Sequence, residues 1–159
     1  MKTMANASQL FDVPGSPGRD RSNRPLSIVA AGLRSAGGSA SVLVLRDAAG
    51  RVVGNWQRDA GNATVDQAVL LAVIEGLRQA RERRADKVTV FCPSPILAAR
   101  LDRKAPMAWD DPAARLWMRA RALSHGFEQC NFRLLDAASV RELNGTAAAC
   151  GNSDLAVAA

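Results

Sequence analysis

One helix and the strand behind it constrain this 159-residue chain more than any other feature. Thr64-Val65-Asp66-Gln67 has the pattern of a capping box, with Thr at the N-cap and Gln three residues on. It opens VDQAVLLAVIEGLRQARERR, in which Leu70, Val73, Ile74 and Leu77 fall at helical spacing. KVTVF follows at 87–91 and reads as a short buried strand. A long amphipathic helix set between strand-like runs points to an α/β chain with helices packed on a sheet.

The flanking segments extend that pattern. LSIVAA (26–31) reads as a buried strand and GLRSAGGSA (32–40) as a Gly-rich turn. SVLVLRD and RVVGNWQR flank Ala48-Ala49-Gly50 as the two arms of a hairpin. Downstream come PILAARL as a short helix, DRKAPMAWDDP as a loop and AARLWMRARALSHGF as an amphipathic helix. EQCNFRLLD is then a strand and SVRELNGTAAAC a last helix. The predicted order is β-β-β-α-β-α-α-β-α, without internal repeat. Residues 1–24 carry Pro, Gly, Ser, Asn and Arg with no apolar period and are expected to form a disordered basic arm. Residues 25–151 are the expected folded domain and 152–159 a flexible tail.

Composition narrows the function classes. Apolar residues make up 48% and no apolar run nears the ~20 residues that span a bilayer, so no membrane association is expected. MKTMANASQLFDVPG lacks the apolar stretch of a signal peptide, and a cytoplasmic chain is expected. Cys92, Cys130 and Cys150 are an odd number at wide spacing, against both a disulfide framework and a zinc site. The net charge of +6 is compatible with nucleic acid without requiring it.

Three strands, a helix and two helix-linked strands resemble the ribonuclease H fold, and local runs carry the same resemblance. RDAAGRVVG is similar to the hairpin between strands two and three of the type 1 ribonuclease H and reverse-transcriptase-like family. VLLAVIEGLRQARE is similar to its first helix, KVTVF to its fourth strand and FRLLDAASVRELNGTAAA to its last strand and helix. The resemblance covers residues 26–150. It implies a five-stranded mixed sheet in the order 3-2-1-4-5, with the first three strands antiparallel and helices on both faces.

The family cleaves the RNA strand of RNA–DNA hybrids with two Mg²⁺ ions held by four carboxylates. Mg²⁺ selects hard anionic oxygen, and two close dications need several negative charges around them. On this chain the four acid positions fall on Ala31, Val69, Pro93 and Asn144, and the family's histidine on Leu134. The implied catalytic set is therefore none, with no metal and no cofactor; Mg²⁺ is expected only if the family activity were retained. Cys92-Pro93-Ser94-Pro95 then stands where the family has a metal-binding Asp-Ser turn. Asp66 and Glu142 are the nearest acids for a regrouped site. Asp66 is more simply a first-turn acid, and Glu142 should face away from Asn144.

What the resemblance leaves is the family's grip on phosphate and sugar. Arg34 and Ser35 in the Gly-rich segment, Asn62 and Thr64 at the helix start, and Arg100, Arg103, Lys104 and Trp109 beyond the fourth strand are the candidate nucleic-acid contacts. Some have plainer roles: Thr64 as N-cap, and Arg100, Arg103 and Lys104 as a charge patch diluted by Asp102, Asp110 and Asp111. Trp117 is expected in the core. The first reading is an inactive domain that binds hybrid, duplex or single strand. The alternative is a protein-interaction module tethered through residues 1–24, and the third is an active hybrid nuclease. At the other end, Leu155–Ala159 is either a frayed tail or, through Ala158 and Ala159, similar to tags read by ATP-dependent proteases.

Overall fold

The computed structural model describes residues 24–102 and 110–149. In chain order the elements are β1 (Pro25–Ser35), β2 (Gly38–Arg46), β3 (Val52–Gly61), α1 (Val65–Glu82), β4 (Lys87–Cys92), α2 (Pro95–Leu101), α3 (Ala114–Ser124), β5 (Gln129–Leu134) and α4 (Ala137–Ala149). The strands form one sheet in the order β3-β2-β1-β4-β5. β1 and β2, and β2 and β3, pair antiparallel, while β4 pairs parallel with both β1 and β5. This is the sheet expected from the sequence.

The antiparallel half is longer than expected. β1 runs through Gly32, Leu33 and Arg34 to Ser35, which pairs with Gly38, so the Gly-rich segment is mostly strand and its turn is only Ala36-Gly37. Local composition argued for a loop. Cross-strand pairing with Ser39, Ala40 and Ser41 overrides it, because strand preference is set by partners more than by residue type. The β2–β3 hairpin closes as expected: Asp47 Oδ1 accepts the backbone N–H groups of Ala49 and Arg51, each at 2.9 Å.

Alternation along β1 divides the core between two faces. Ile28 and Ala30 join Leu43, Leu45, Val88 and Val90 under α1, α2 and α3, with fully buried Leu70, Val73, Leu77 and Trp117 in the same cluster. Val29, Ala31 and Leu33 face the other way, with Val42, Val44 and Leu143 of α4. Trp117 is 2% exposed and a core residue, as expected. Cys92 belongs to the first cluster and the half-buried Cys130 packs on it. Burial pushes both free thiols up to about 12, with each thiol also feeling a nearby acidic group, Cys130 for Cys92 and Asp102 for Cys130. Both stay protonated near neutrality, which removes them as nucleophiles or thiolate ligands.

Candidate nucleic-acid interface

The start of α1 is fixed by reciprocal capping. Thr64 Oγ1 accepts the Gln67 backbone N–H at 3.1 Å, and Gln67 Oε1 accepts the Thr64 N–H at 2.9 Å. This end of the helix is held against β1 and β2. A side chain at Gly32 would meet the Val65 carbonyl at 2.4 Å, so only glycine allows β1 to pass so close. Ser39 and Ser41 donate hydroxyls to the Ala63 and Ala68 carbonyls at 2.6 and 2.7 Å.

An open cleft of about 460 Å³ forms where these pieces meet, lined by Arg34, Ser35, Thr64 and Asp66 among others. Three candidate contacts from two distant sequence segments thus share one surface. Arg34, Ser35 and Thr64 are exposed there, and Asn62 is exposed two residues before Thr64. Arg34 supplies a positive charge beside free backbone N–H groups at the first turn of an 18-residue helix. Arg100 is placed differently. Its guanidinium lies 3.4 Å from Asp111 and 5.8 Å from the Trp117 ring centroid, so it serves the α2–α3 packing. Arg103, Lys104, Trp109, the arm at 1–23 and the tail with Ala158 and Ala159 lie outside the described residues.

Of the four positions named from the resemblance, Ala31 and Val69 belong to the two different core clusters. Ala31 and Leu143, the neighbour of Asn144, share the α4-side cluster. Val69 and Cys92, the neighbour of Pro93, share the α1-side cluster. β1 pairs with β4 at Ile28–Val90 and Val29–Phe91; the same offset carried two positions further sets Ala31 opposite Pro93. Ala31 and Val69 are 0% exposed, and Asn144 is exposed.

This donor set does not fit magnesium. Ala, Val and Pro offer no side-chain oxygen, and one amide cannot balance two dications. Nor do the nearest acids regroup. Glu142 lies 3.3 Å from Arg46 Nε in an ion pair whose N–H does not aim at the oxygen, so the contact is not a hydrogen bond. Asp66 is exposed at the cleft. Among the described residues no three His, Cys, Asp or Glu side chains come close enough to hold a metal.

The reverse transcriptase-like family model matches residues 30–153. The chain belongs to that family. Its ribonuclease H-like sheet is also found in solved structures. Ribonuclease H1 from the halophilic archaeon Halobacterium salinarum superposes with a TM-score of 0.68 at 22% identity, covering 77% of this chain and 93% of that one. The N-terminal ribonuclease H domain of a Mycobacterium tuberculosis protein gives 0.65 at 21% identity, covering 72% and 88%. LC11-RNase H1, isolated from compost and solved with an RNA/DNA hybrid, gives 0.64 at 15% identity, covering 74% and 92%. At these identities the likeness is one of fold. No curated protein is significantly similar to the chain in sequence. Among the described residues of this ribonuclease H-like domain, no helix is long and apolar enough to cross a membrane.

A second cleft, lined by Trp56, Arg58 and Arg119, has no counterpart in the sequence reading. Its residues come from three elements whose packing no local pattern announces. Trp56 and Arg58 lie two residues apart on β3, which puts them on one face of the strand, opposite Leu43 and Ser41.

Proposed function

We propose that this ribonuclease H-like domain binds nucleic acid through phosphate and sugar contacts and does not hydrolyse it. The observation that carries the reading is the chemistry of the four acid positions. No carboxylate stands at any of them, and Ala31 and Val69 are packed at 0% exposure into apolar clusters. Two-metal hydrolysis needs ions to generate the nucleophile and to stabilise the leaving oxygen. This chain offers neither ion a place at those positions.

The cleft at Arg34, Ser35 and Thr64 supports the binding half of the proposal. It joins a guanidinium, a hydroxyl and a helix N-terminus, the groups that take phosphate without a metal. A related fold, LC11-RNase H1, has been solved with an RNA/DNA hybrid, and a foamy viral protease-reverse transcriptase with dsDNA. The test is one preparation assayed two ways. Hybrid cleavage in Mg²⁺ and in Mn²⁺ is expected to stay at the level of a blank. Binding of the same hybrid is expected to weaken linearly in log–log salt. Cleavage that survives Asp66→Asn and Glu142→Gln would overturn the inactive reading, and salt-independent binding would overturn the phosphate grip.

A further inference from the structure

The cleft between β3, α1 and α3 has a volume of about 510 Å³. Buried Ile74 and half-buried Leu71 and Trp56 give it an apolar interior, and exposed Arg58 and Arg119 stand at its mouth. Its two carboxylates are already engaged. Glu75 accepts Arg78 at 3.1 and 3.2 Å and Gln79 at 3.0 Å, and Asp59 accepts the Gly61 N–H at 2.8 Å. Arg58 and Arg119 make no hydrogen bond or ion pair among the described residues, although the charge of Arg58 helps hold Glu75 ionised. A planar aromatic wall beside unpaired guanidinium groups suits a ligand that joins a flat ring to an anion.

We propose that this cleft takes a nucleotide of a single nucleic-acid strand whose neighbouring phosphates lie on the Arg34–Thr64 cleft. The inference rests on the binding reading above and assigns it a second subsite. A base can enter such a cleft only when unstacked, which selects single strand over closed duplex. The two clefts open on one side of the sheet. Ser39 lines the first and Ser41 the second, two residues apart on β2 and therefore on the same face, ~7 Å apart. Along α1 the lining moves from Val65 and Asp66 to the Leu71–Arg78 stretch, ~13 Å at 1.5 Å per residue. A short extension of a single strand seated on the first cleft spans that distance and reaches Arg58.

The test compares a short oligonucleotide that fills only the first cleft with a longer one, on the full chain. The longer strand is expected to bind more tightly to the unaltered protein and to quench tryptophan fluorescence. In Arg58→Gln/Arg119→Gln the gain from length is expected to vanish, and the log–log salt slope to fall by about 1.4, ~0.7 per lost phosphate contact. Arg58→Lys/Arg119→Lys, which keeps both charges, should retain the slope, and Trp56→Phe should lose the quenching. Retained binding with an unchanged slope in the Gln variant would overturn this subsite and leave the first reading standing. Absence of all binding by the unaltered protein would overturn both. Quenching by free adenosine monophosphate as strong as by the longer strand would give the cleft to a small ligand and overturn the strand path.

Discussion

Gly76 sits in the middle of α1, where glycine costs about 1 kcal/mol relative to alanine. Its reason lies across the interface. A Cβ there would meet Ile28 Cγ2 at 2.6 Å and Leu43 Cδ1 at 3.0 Å, so the helix lies on β1 and β2 at a distance only glycine permits. Overpacking of a close-packed core costs ~1–3 kcal/mol, more than the propensity gain returns. Gly76→Ala is therefore expected to lower stability by about 1 kcal/mol, read as an earlier urea midpoint with unchanged slope. A stabilised variant would mean that β1 and β2 give way easily. The sequence marked this residue only through its resemblance to a family run, because the close approach is tertiary. Ala31, Val69, Pro93 and Asn144 were named only through the family resemblance, which sets an expectation from sequence order and carries no contact of its own. The engagement of Arg100 with Asp111 and Trp117 was not legible, because those partners lie 11 and 17 positions away and meet only when α2 and α3 pack.

At the scale of elements, punctuation was legible and the full length of the paired strands was not. Pro95 starts α2 and Thr64 caps α1 at the positions read from sequence. β1 and β2 outgrew their reading because their extra residues are strand only by virtue of each other. α4 begins at Ala137, two residues before the Ser139 start expected, because Asp136 caps it: Asp136 Oδ1 accepts the Ser139 N–H at 2.7 Å. The Ser139 hydroxyl in turn accepts Arg46 of β2 at 2.6 Å, fastening α4 to the sheet. The hydrogen bonds from Ser139, with a smaller effect from the Arg46 charge, hold the Asp136 carboxyl below its ordinary 3.8. A carboxylate with a lowered folded-state pKa adds stability above its unfolded value and loses it as pH falls through the folded one. Asp136→Asn keeps a good cap and removes the charge, so it isolates that contribution, about 0.5 kcal/mol at an exposed helix start. The stability gap between wild type and variant is expected to be constant near neutrality and to close below pH 3.8. A gap that persisted in acid would assign the effect to shape instead of charge.

For the molecule as a whole, the resemblance of the element order to the ribonuclease H fold implied the sheet 3-2-1-4-5, and the strands pair in that order. Clefts were not legible in the same way, since each gathers residues from separate elements. The apolar residues at the positions where the resemblance expects acids carry a consequence for the whole fold. A cluster of four carboxylates would repel itself and would fold more firmly with metal bound, as any ligand that binds only the folded state stabilises it. Here Ala31 and Val69 contribute to the core without metal, so stability is expected to be indifferent to magnesium. A site filled at ten times its dissociation constant would add about 1.4 kcal/mol, or roughly 3–6 °C in a chain of this length. Thermal unfolding with and without millimolar MgCl₂, with matched NaCl to equalise screening, separates the two cases. An unchanged midpoint is expected. A rise of several degrees that a matched calcium salt does not reproduce would locate a magnesium site on this chain and reopen the question of hydrolysis.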